Sequence, residues 1–261
     1  MEEEKIINIV SGVLGFSMFM SCIALMSGVT APYGRYSGTK SFGISWGCPI
    51  NAKFAWFFQE LPSFAVPVFF FAIGPTEITG QLTNRVLLGY FLFHYFNRTF
   101  VFPMRLRGGK PTPFGVMMAA FFFTLTNGYM QGRYLTAIKS YEDSHLQSPA
   151  FIVGSILFWG GLFINWQADG ILRNLRKPGE TGYKIPKGGM FTYVSGANFF
   201  GEMVEWTGFA IAAGGSIPAV TFAFCTVANI APRAIQHHEW YLKKFEDYSA
   251  LNRAAIIPFL Y

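Results

Sequence analysis

The sequence predicts an all-α, polytopic membrane protein in which seven transmembrane helices enclose a cavity, with further helices in cytosolic loops. Hydrophobic residues make up 52% of the 261 residues and charged residues only 13%, whereas ordinary soluble domains carry about 25% charged residues. The 30 phenylalanines bring more apolar surface than the interior of a soluble protein of this size can hold. Seven apolar segments alternate with polar loops, so we treat residues 1–261 as one integral-membrane domain.

In chain order, the predicted spans are residues 6–29, 52–74, 86–102, 114–129, 150–165, 196–213 and 217–231. Pro62 and Pro67 should bend the second span, because proline removes a helical hydrogen bond and crowds the preceding turn. The acidic start at residues 1–5 lacks the basic region of a cleaved signal peptide. From Pro232 onward, the pattern predicts a separate amphipathic helix with proline in its first turn.

The distribution of basic residues predicts the orientation in the membrane. Seven spans place the termini on opposite sides: four Lys and Arg residues fall on the side of the N-terminus, fifteen on the other side, and Arg98 within a span. The positive-inside rule therefore places the C-terminus and the loop between the fifth and sixth spans in the cytosol, and the N-terminus outside or in the lumen. A bacterial inner membrane and an endoplasmic reticulum membrane both fit this orientation. The net charge of +6 is explained by these loops and does not indicate nucleic-acid binding.

Polar residues at helical spacing mark the region between the fifth and sixth spans. They form two stripes, Asn165, Asp169, Arg173 and Arg176 on the first segment and Asn198, Glu202 and Glu205 on the second. Spacings of three and four residues place each stripe on one helix face. Carboxylates and amides in a spanning helix cost a few kcal/mol each unless they face a protein interior or a wet cavity. For the arginines, a solvated cytosolic helix face is the alternative.

The basic loop beside these stripes predicts an anionic ligand. Guanidinium groups bind phosphate bidentately, so a phosphorylated cofactor suits them. Neither GxGxxG nor a Walker-type loop occurs, which argues against the Rossmann and P-loop modes of nucleotide binding. The three cysteines are scattered and lack ligand spacing, so neither a metal site nor a disulfide framework is predicted.

Two other spans carry polar residues of the kind that catalysis uses. Gln59 and Glu60 lie within the second span, and Tyr95 and Arg98 share one face of the third. A carboxyl group in hydrocarbon indicates function, whereas the alternative for Gln59 is a hydrogen bond between helices. The Tyr95 hydroxyl and a protonated Glu60 are suited to polarise one carbonyl oxygen.

The tail carries one more polar face, formed by Arg233, His237, Tyr241 and Lys244 at spacings of four, four and three. Such a face is typical of a helix on the membrane surface, and the alternative is that it closes the cytosolic mouth of the cavity. The adjacent His237 and His238 point apart on a helix, which argues against a two-histidine metal site.

Five segments resemble a known family: AWFFQELPSFAVP at 55–67, HYFNRTFVF at 94–102, LRNLRKPGE at 172–180, GGMFTYVSGANFFGEMVEW at 188–206 and YLKKFEDY at 241–248. They are similar to segments of the steroid 5-alpha-reductases, and the likeness extends from about Tyr33 to the C-terminus. The stretch SGANFFGE followed by VEW is long and specific. The chain departs from the mammalian pattern at Gln236-His237-His238, where that pattern has three histidines. It also departs at Arg107-Gly108-Gly109-Lys110, which has an extra glycine and a lysine for an arginine.

The resemblance implies a seven-span bundle that encloses NADPH and reduces the Δ4 double bond of 3-oxo-Δ4 steroids, with hydride passing to C5 and a proton to C4. Gln59, Glu60 and Tyr95 match the group around the steroid 3-keto oxygen, within residues 30–110. The matching cofactor-side residues are Tyr33, Arg98, Arg107, Asn165, Asp169, Arg173, Arg176, Tyr183, Asn198, Glu202, Trp206, His237 and Tyr241. Most of this NADPH site falls within about residues 114–261.

The resemblance also implies the partners. The steroid is expected to enter from the bilayer, and the lipid membrane is the other partner; neither nucleic acid nor an obligate protein partner is expected. Related alternatives are a reductase of another hydrophobic lipid, such as a polyprenol or an enoyl lipid, and a methyltransferase of the isoprenylcysteine type. A seven-span receptor or transporter, which needs no nucleotide, is the alternative from a different class.

Overall fold

A computed structural model describes residues 2–37, 43–177, 180 and 182–260. Lys40, which enters the charge count, and Pro178 and Gly179 of the LRNLRKPGE segment lie outside the described residues. The α-helices are α1 (Glu2–Met26), α2 (Ala52–Ile73), α3 (Thr76–Thr79), α4 (Leu82–Phe96), α5 (Phe102–Arg105), α6 (Phe114–Arg133), α7 (Pro149–Asn174), α8 (Ala197–Ala212) and α9 (Ile217–Lys244). The predicted all-α class is therefore confirmed.

Shorter elements connect and extend these helices. The π-helical turns Asn97–Val101 and Tyr134–Ile138 continue α4 and α6. The 3-10 helices are Gly34–Tyr36, Asp143–Gln147, Gly189–Thr192 and Glu246–Leu251. Strands β1 (Pro49–Ile50) and β2 (Thr112–Pro113) pair antiparallel and hold the loop before α2 against the loop before α6.

Side-chain caps set where two of the long helices begin. The Asn51 side chain accepts hydrogen bonds from the backbone amides of Lys53 and Phe54 at the start of α2, at 3.0 and 3.3 Å. The Ser148 hydroxyl accepts from the Phe151 amide at 3.1 Å, with a proline in the first position of α7. Both arrangements satisfy amides that have no partner within the first helical turn.

Every predicted span falls on a helix. Within the described part of the chain, α1, α2, α7 and α9 are long and apolar enough to cross a membrane. The other three predicted spans fall on α4, α6 and α8, which have 15, 20 and 16 residues and do not reach the same combination of length and hydropathy. The structure supports a helical membrane protein, and the count of seven spans stays a prediction.

Two helices run further than the predicted spans. Helix α7 continues past Asn165 to Asn174, so most of the first polar stripe lies on the same helix as the fifth span, while Arg176 lies beyond its end. Helix α9 runs unbroken through Pro232, so the predicted separate tail helix is wrong. Pro232 is buried, and packing of a long helix in a bundle compensates for the one hydrogen bond that proline removes.

Helices α7 and α8 form a closely packed hairpin. Gly154 and Gly161 on α7 face Gly201 and Gly208 on α8, and a Cβ atom at Gly161 would lie only 2.7 Å from the Cα of Glu205. Small residues at such positions let helix backbones approach closely in a membrane protein. The hairpin brings the polar stripes of the two helices face to face.

The aromatic core lies beside this hairpin. Phe91, Phe209, Phe222 and Trp206 are all buried there, and the Trp206 and Phe222 ring centroids are 4.4 Å apart. Tyr95 on α4 belongs to the same cluster. The core therefore places one of the predicted catalytic residues next to α8.

Candidate active site

Arg98 joins α4 to the polar stripes of α7 and α8. The π-helical turn that follows α4 carries Arg98, whose Nη1 lies 3.5 Å from the Asp169 carboxylate and whose Nη2 lies 4.0 Å from that of Glu202. The guanidinium also sits over the rings of Trp56 and Phe102, at 4.5 and 4.6 Å from their centroids. Because these side chains are mostly shielded from solvent, the ion pairs are screened less than surface pairs.

Asn165, Asp169 and Asn198 form a hydrogen-bonded group between α7 and α8. The Asn198 amide donates to the Asp169 carboxylate at 3.3 Å, and the Asn165 amide donates to the Asn198 backbone carbonyl at 3.0 Å. The two stripes recognised in the sequence therefore contact each other across the hairpin. The carboxylate of Asp169 is shared by Asn198 and Arg98, which holds three elements in one arrangement.

Glu205 does not contact Arg98 as Glu202 does, although the sequence groups the two on one polar stripe. Its side chain is fully buried, and one carboxyl oxygen lies 2.7 Å from Nδ1 of His94. The other oxygen has no hydrogen-bond partner among the described residues. Removing one partner of a buried hydrogen bond, so that the other is left unsatisfied, typically costs about 1–3 kcal/mol. Sequence reasoning missed this pair, although an imidazole and a carboxyl group in two apolar segments were the available signal.

Trp206 lies against His94 and Tyr95 rather than among the arginines. Its ring centroid is 4.6 Å from that of His94 and 5.9 Å from that of Tyr95. Its indole nitrogen is buried without a hydrogen-bond partner in the described structure. This predicted cofactor-side residue thus packs beside the predicted catalytic tyrosine.

Gln59, Glu60 and Tyr95 lie on the two neighbouring helices α2 and α4. The Gln59 amide donates to Glu60 Oε1 at 3.2 Å. The Tyr95 hydroxyl accepts a hydrogen bond from the Asn127 amide of α6 at 3.3 Å. Asn127 is fully buried and was not singled out in the sequence. Glu60 and Tyr95 therefore have different hydrogen-bond partners in this structure.

A cavity of about 700 Å³ lies at the end of α7, and we call it the cationic cavity. The basic residues that line it are Arg105, Arg107, Arg173, Arg176 and Lys177. Asp169 and Asn198 also line it. Asp169 connects the cavity to the Arg98 group, by which we mean Arg98 with its ion-pair partners Asp169 and Glu202. Sequence reasoning named neither Arg105 nor Lys177 as a site residue, because it used both only to infer orientation.

The loop with the extra glycine forms one wall of the cationic cavity. Gly108 and Gly109 line it and have φ angles of 72° and 121°, which glycine adopts far more readily than other residues. Directly before this turn, the Arg107 guanidinium donates a hydrogen bond of 3.1 Å to the Asn174 side chain. Glu180 also lines the cavity. The Lys184 ammonium donates to it and thereby lowers the pKa of that carboxyl group, so Glu180 stays ionised at neutral pH.

Tyr183 and Tyr241 belong to an aromatic group around Arg35. The Arg35 guanidinium lies 5.1 Å from the Tyr183 ring centroid, 3.8 Å from that of Trp240 and 4.6 Å from that of Tyr241. Arg176, which lines the cationic cavity, contacts the same Tyr183 ring, at 5.9 Å from its centroid. The aromatic group is therefore adjacent to the cationic cavity without being part of its described lining.

Tyr33 and His237 lie where the loop after α1 meets α9. The Arg233 guanidinium sits 4.6 Å from the Tyr33 ring centroid. The His237 ring lies between the rings of Tyr36 and Phe199, at 5.8 and 5.6 Å. Burial raises the pKa of the Tyr36 phenol above its usual value, so the phenol stays neutral at physiological pH. These contacts place His237 in an aromatic environment at the base of α8.

Comparison with known proteins identifies the family. A family model described as 3-oxo-5-alpha-steroid 4-dehydrogenase matches residues 110–261, more than half of the chain. The chain is 49% identical over 247 residues to 3-oxo-5-alpha-steroid 4-dehydrogenase 1 of Rattus norvegicus, which covers 94% of this chain and 92% of that protein. It is 44% identical over 247 residues to 3-oxo-5-alpha-steroid 4-dehydrogenase 2 of Homo sapiens, with 95% of each chain covered. The chain therefore belongs to the 3-oxo-5-alpha-steroid 4-dehydrogenase family of oxidoreductases.

Proposed function

We propose that this protein reduces the Δ4 double bond of 3-oxo-Δ4 steroids, of the testosterone or progesterone type, to 5-alpha-reduced 3-oxo steroids with NADPH as the reductant. The observation that carries this proposal is the Arg98 group. Arg98 pairs with Asp169, which lines the cationic cavity, and its guanidinium sits over the ring of Trp56 on α2, the helix that also carries Glu60. The names of relatives that cover nearly the whole chain support the same reaction.

The residues of the cationic cavity fit a dinucleotide phosphate. Five basic side chains line it, and arginine and lysine are the residues that bind phosphate groups most favourably. In this proposal Arg107, Arg173 and Arg176 hold phosphates, while Asn165, Asp169 and Asn198 orient the part of the cofactor nearest the bundle. When bound, NADPH supplies the hydride. The aromatic side chains of Tyr33, Tyr183 and Tyr241 would border the same end of the site.

Tyr95 and Glu60 would polarise the 3-keto oxygen of the steroid. The Asn127 amide donates to the Tyr95 oxygen, and that bond does not use the phenolic proton. Likewise, Gln59 donates to one oxygen of Glu60 and leaves the second oxygen available to carry a proton. Two donors aimed at one ketone oxygen stabilise the enolate that develops when C5 is reduced, and they act most strongly where water is excluded.

The membrane arrangement follows from the same proposal. Seven spans, with α4, α6 and α8 completing the four apolar helices, would place the N-terminus outside or in the lumen and the cationic cavity at the cytosolic end. A soluble dinucleotide then reaches its site from the cytosol, whereas an apolar steroid enters from the bilayer. The aromatic side chains of the spans are suited to line that entrance.

Turnover by the purified protein tests the proposed function. In detergent or nanodiscs, addition of NADPH and a 3-oxo-Δ4 steroid should consume NADPH and yield a product heavier by two hydrogens, as measured by absorbance and mass spectrometry. A 3-oxo steroid already saturated at C4–C5 is the matched control and should not be consumed. If several 3-oxo-Δ4 steroids fail while a polyprenol or an enoyl lipid is reduced, the substrate assignment is wrong.

Replacing Arg176 tests the phosphate set. Because a charged hydrogen bond to phosphate would be lost, Arg176→Ala should raise the Kd for NADPH about tenfold. It should also reduce the preference for NADPH over NADH, both measured by titration. Lys187→Ala, which removes an exposed cation outside the described lining of the cavity, is the control. Unchanged affinity in Arg176→Ala would remove this residue from the phosphate set.

A further inference from the structure

Ser195 lies at the centre of a buried hydrogen-bond cluster outside the site described above. Its hydroxyl oxygen is 2.6 Å from Nδ1 of His238 on α9, 2.7 Å from the hydroxyl of Tyr248, and 3.3 Å from the Ala254 carbonyl. Ser195 is 5% exposed and Tyr248 1%. The Ser195 hydroxyl donates its single proton to the Ala254 carbonyl. The other two contacts are therefore donated to the serine oxygen, by the Tyr248 hydroxyl and by His238 in the tautomer protonated at Nδ1.

The backbone of the C-terminal tail is bound to the same segment. Val194 and Ala254 form a parallel bridge. The Ser195 amide donates to the Ala254 carbonyl at 2.9 Å, and the Gly196 amide donates to the Ala255 carbonyl at 3.0 Å. The residues after the end of α9 thus fold back and attach to the three residues that precede α8.

This attachment sits directly before the first turn of α8, which carries Asn198. Gly196 is the residue that caps α8, and a Cβ atom there would lie 3.0 Å from the Cβ of Ala234 and 3.4 Å from the Ala255 carbonyl. The start of α8 is therefore confined by α9 on one side and by the tail on the other. Two residues further on, Asn198 donates to Asp169 at 3.3 Å and lines the cationic cavity.

His238 completes a set of three neighbouring side chains with separate tasks. The Gln236 amide donates to the backbone carbonyls of Leu25 and Val29, both at 2.8 Å, and so holds the end of α1. His237 contacts the loop after α1, as described above. His238 contacts the tail. Each residue of Gln236-His237-His238, the run that departs from the mammalian pattern, therefore has a different structural partner.

We propose that Ser195, His238 and Tyr248 form a latch through which the C-terminal tail fixes the first turn of α8 and so sets the affinity of the cationic cavity for its dinucleotide. The latch residues do not line the cavity, so they act through Asn198 as positioning residues. The identity of the ligand rests on the proposed function, whereas the mechanical link between tail and helix does not.

The latch is tested with Ser195→Ala, Tyr248→Phe and His238→Leu in the full-length protein. Each should raise the Kd for NADPH about fivefold, the equivalent of one buried hydrogen bond, with kcat at saturating NADPH and the KM for steroid within about twofold of wild type. His238→Asn keeps a polar atom near the position of Nδ1 and should recover most of the affinity. The double variant Ser195→Ala/His238→Leu should bind NADPH no more weakly than the single variant with the higher Kd, because both substitutions remove the same contact.

Hydrogen–deuterium exchange without cofactor separates the latch from the ligand. The latch variants should exchange faster than wild type in the peptide that covers residues 193–200, whereas Ser249→Ala, which makes the same change at an exposed serine, should not. Unchanged exchange in that peptide, or a fall in kcat with unchanged Kd, would overturn the latch. If wild type itself fails to bind NADPH, the proposed cofactor is wrong, and the exchange measurement still decides the latch.

Discussion

Replacing Tyr95 with Phe or Glu60 with Gln will lower kcat by about 10²–10³-fold, the usual effect of losing one donor to a developing oxyanion. Phenylalanine has no proton to donate, and the amide of glutamine is a far weaker acid than a carboxyl group. Neither residue lines the cationic cavity, so the Kd for NADPH should stay within about twofold of wild type. Steady-state kinetics and a binding titration on the same preparations measure both quantities.

Variants that make the same changes at other positions make this result specific. Tyr90→Phe removes a hydroxyl from α4 whose partner is Ser155, at 3.1 Å, and Glu77→Gln neutralises an exposed carboxylate on α3. Both should keep kcat near wild type. If Tyr95→Phe or Glu60→Gln also retained a near-normal rate, that residue would have no part in polarising the ketone.

Replacing Gly161 with alanine will destabilise the protein by about 3 kcal/mol, at the upper end of the usual cost of overpacking. The added methyl group would lie 2.7 Å from the Cα of Glu205 and 2.5 Å from the Gly201 carbonyl, so α7 and α8 must separate. Since these helices carry Asp169 and Asn198, NADPH affinity should fall as well. Thermal unfolding in detergent and cofactor titration are the measurements.

The adjacent glycine, Gly160, provides the control, because alanine there is not expected to lower the stability. A Cβ atom at Gly160 meets nothing within 4 Å, and alanine is favoured over glycine in a helix by up to about 1 kcal/mol. Gly160→Ala should therefore leave the protein unchanged or slightly more stable. Equal unfolding temperatures for the two variants would show that the close contact between α7 and α8 does not contribute to stability.

Much of the candidate site was predictable from the sequence because helical spacing is local information. The spacing of Asn165, Asp169 and Arg173 placed them on one face, and the structure has them on one helix. The starts of α2, α6 and α9 agree with the predicted spans. Arg107, Arg173, Arg176, Asp169 and Asn198 line one cavity. The predicted roles of Gln59, Glu60 and Tyr95 stay predictions.

The partner of each side chain in the site depends on which helix packs against that face. Glu202 and Glu205 are three residues apart, yet one faces Arg98 and the other pairs with His94. Periodicity assigns a residue to a face of its own helix, but the neighbour on that face comes from a distant part of the chain. The same reason explains why Asn127 and Arg35 were missed as parts of the site.

By itself, the sequence determined that this is a helical membrane protein, which segments form its helices, and to which enzyme family it belongs. Composition, spacing and family motifs are all properties of neighbouring residues. Only the tertiary structure decided that Gly161 rather than Gly160 is confined, that α9 continues through Pro232, and that the tail returns to Ser195. Each of these outcomes depends on close packing between segments far apart in the chain, where a shift of about one ångström changes a favourable contact into a clash.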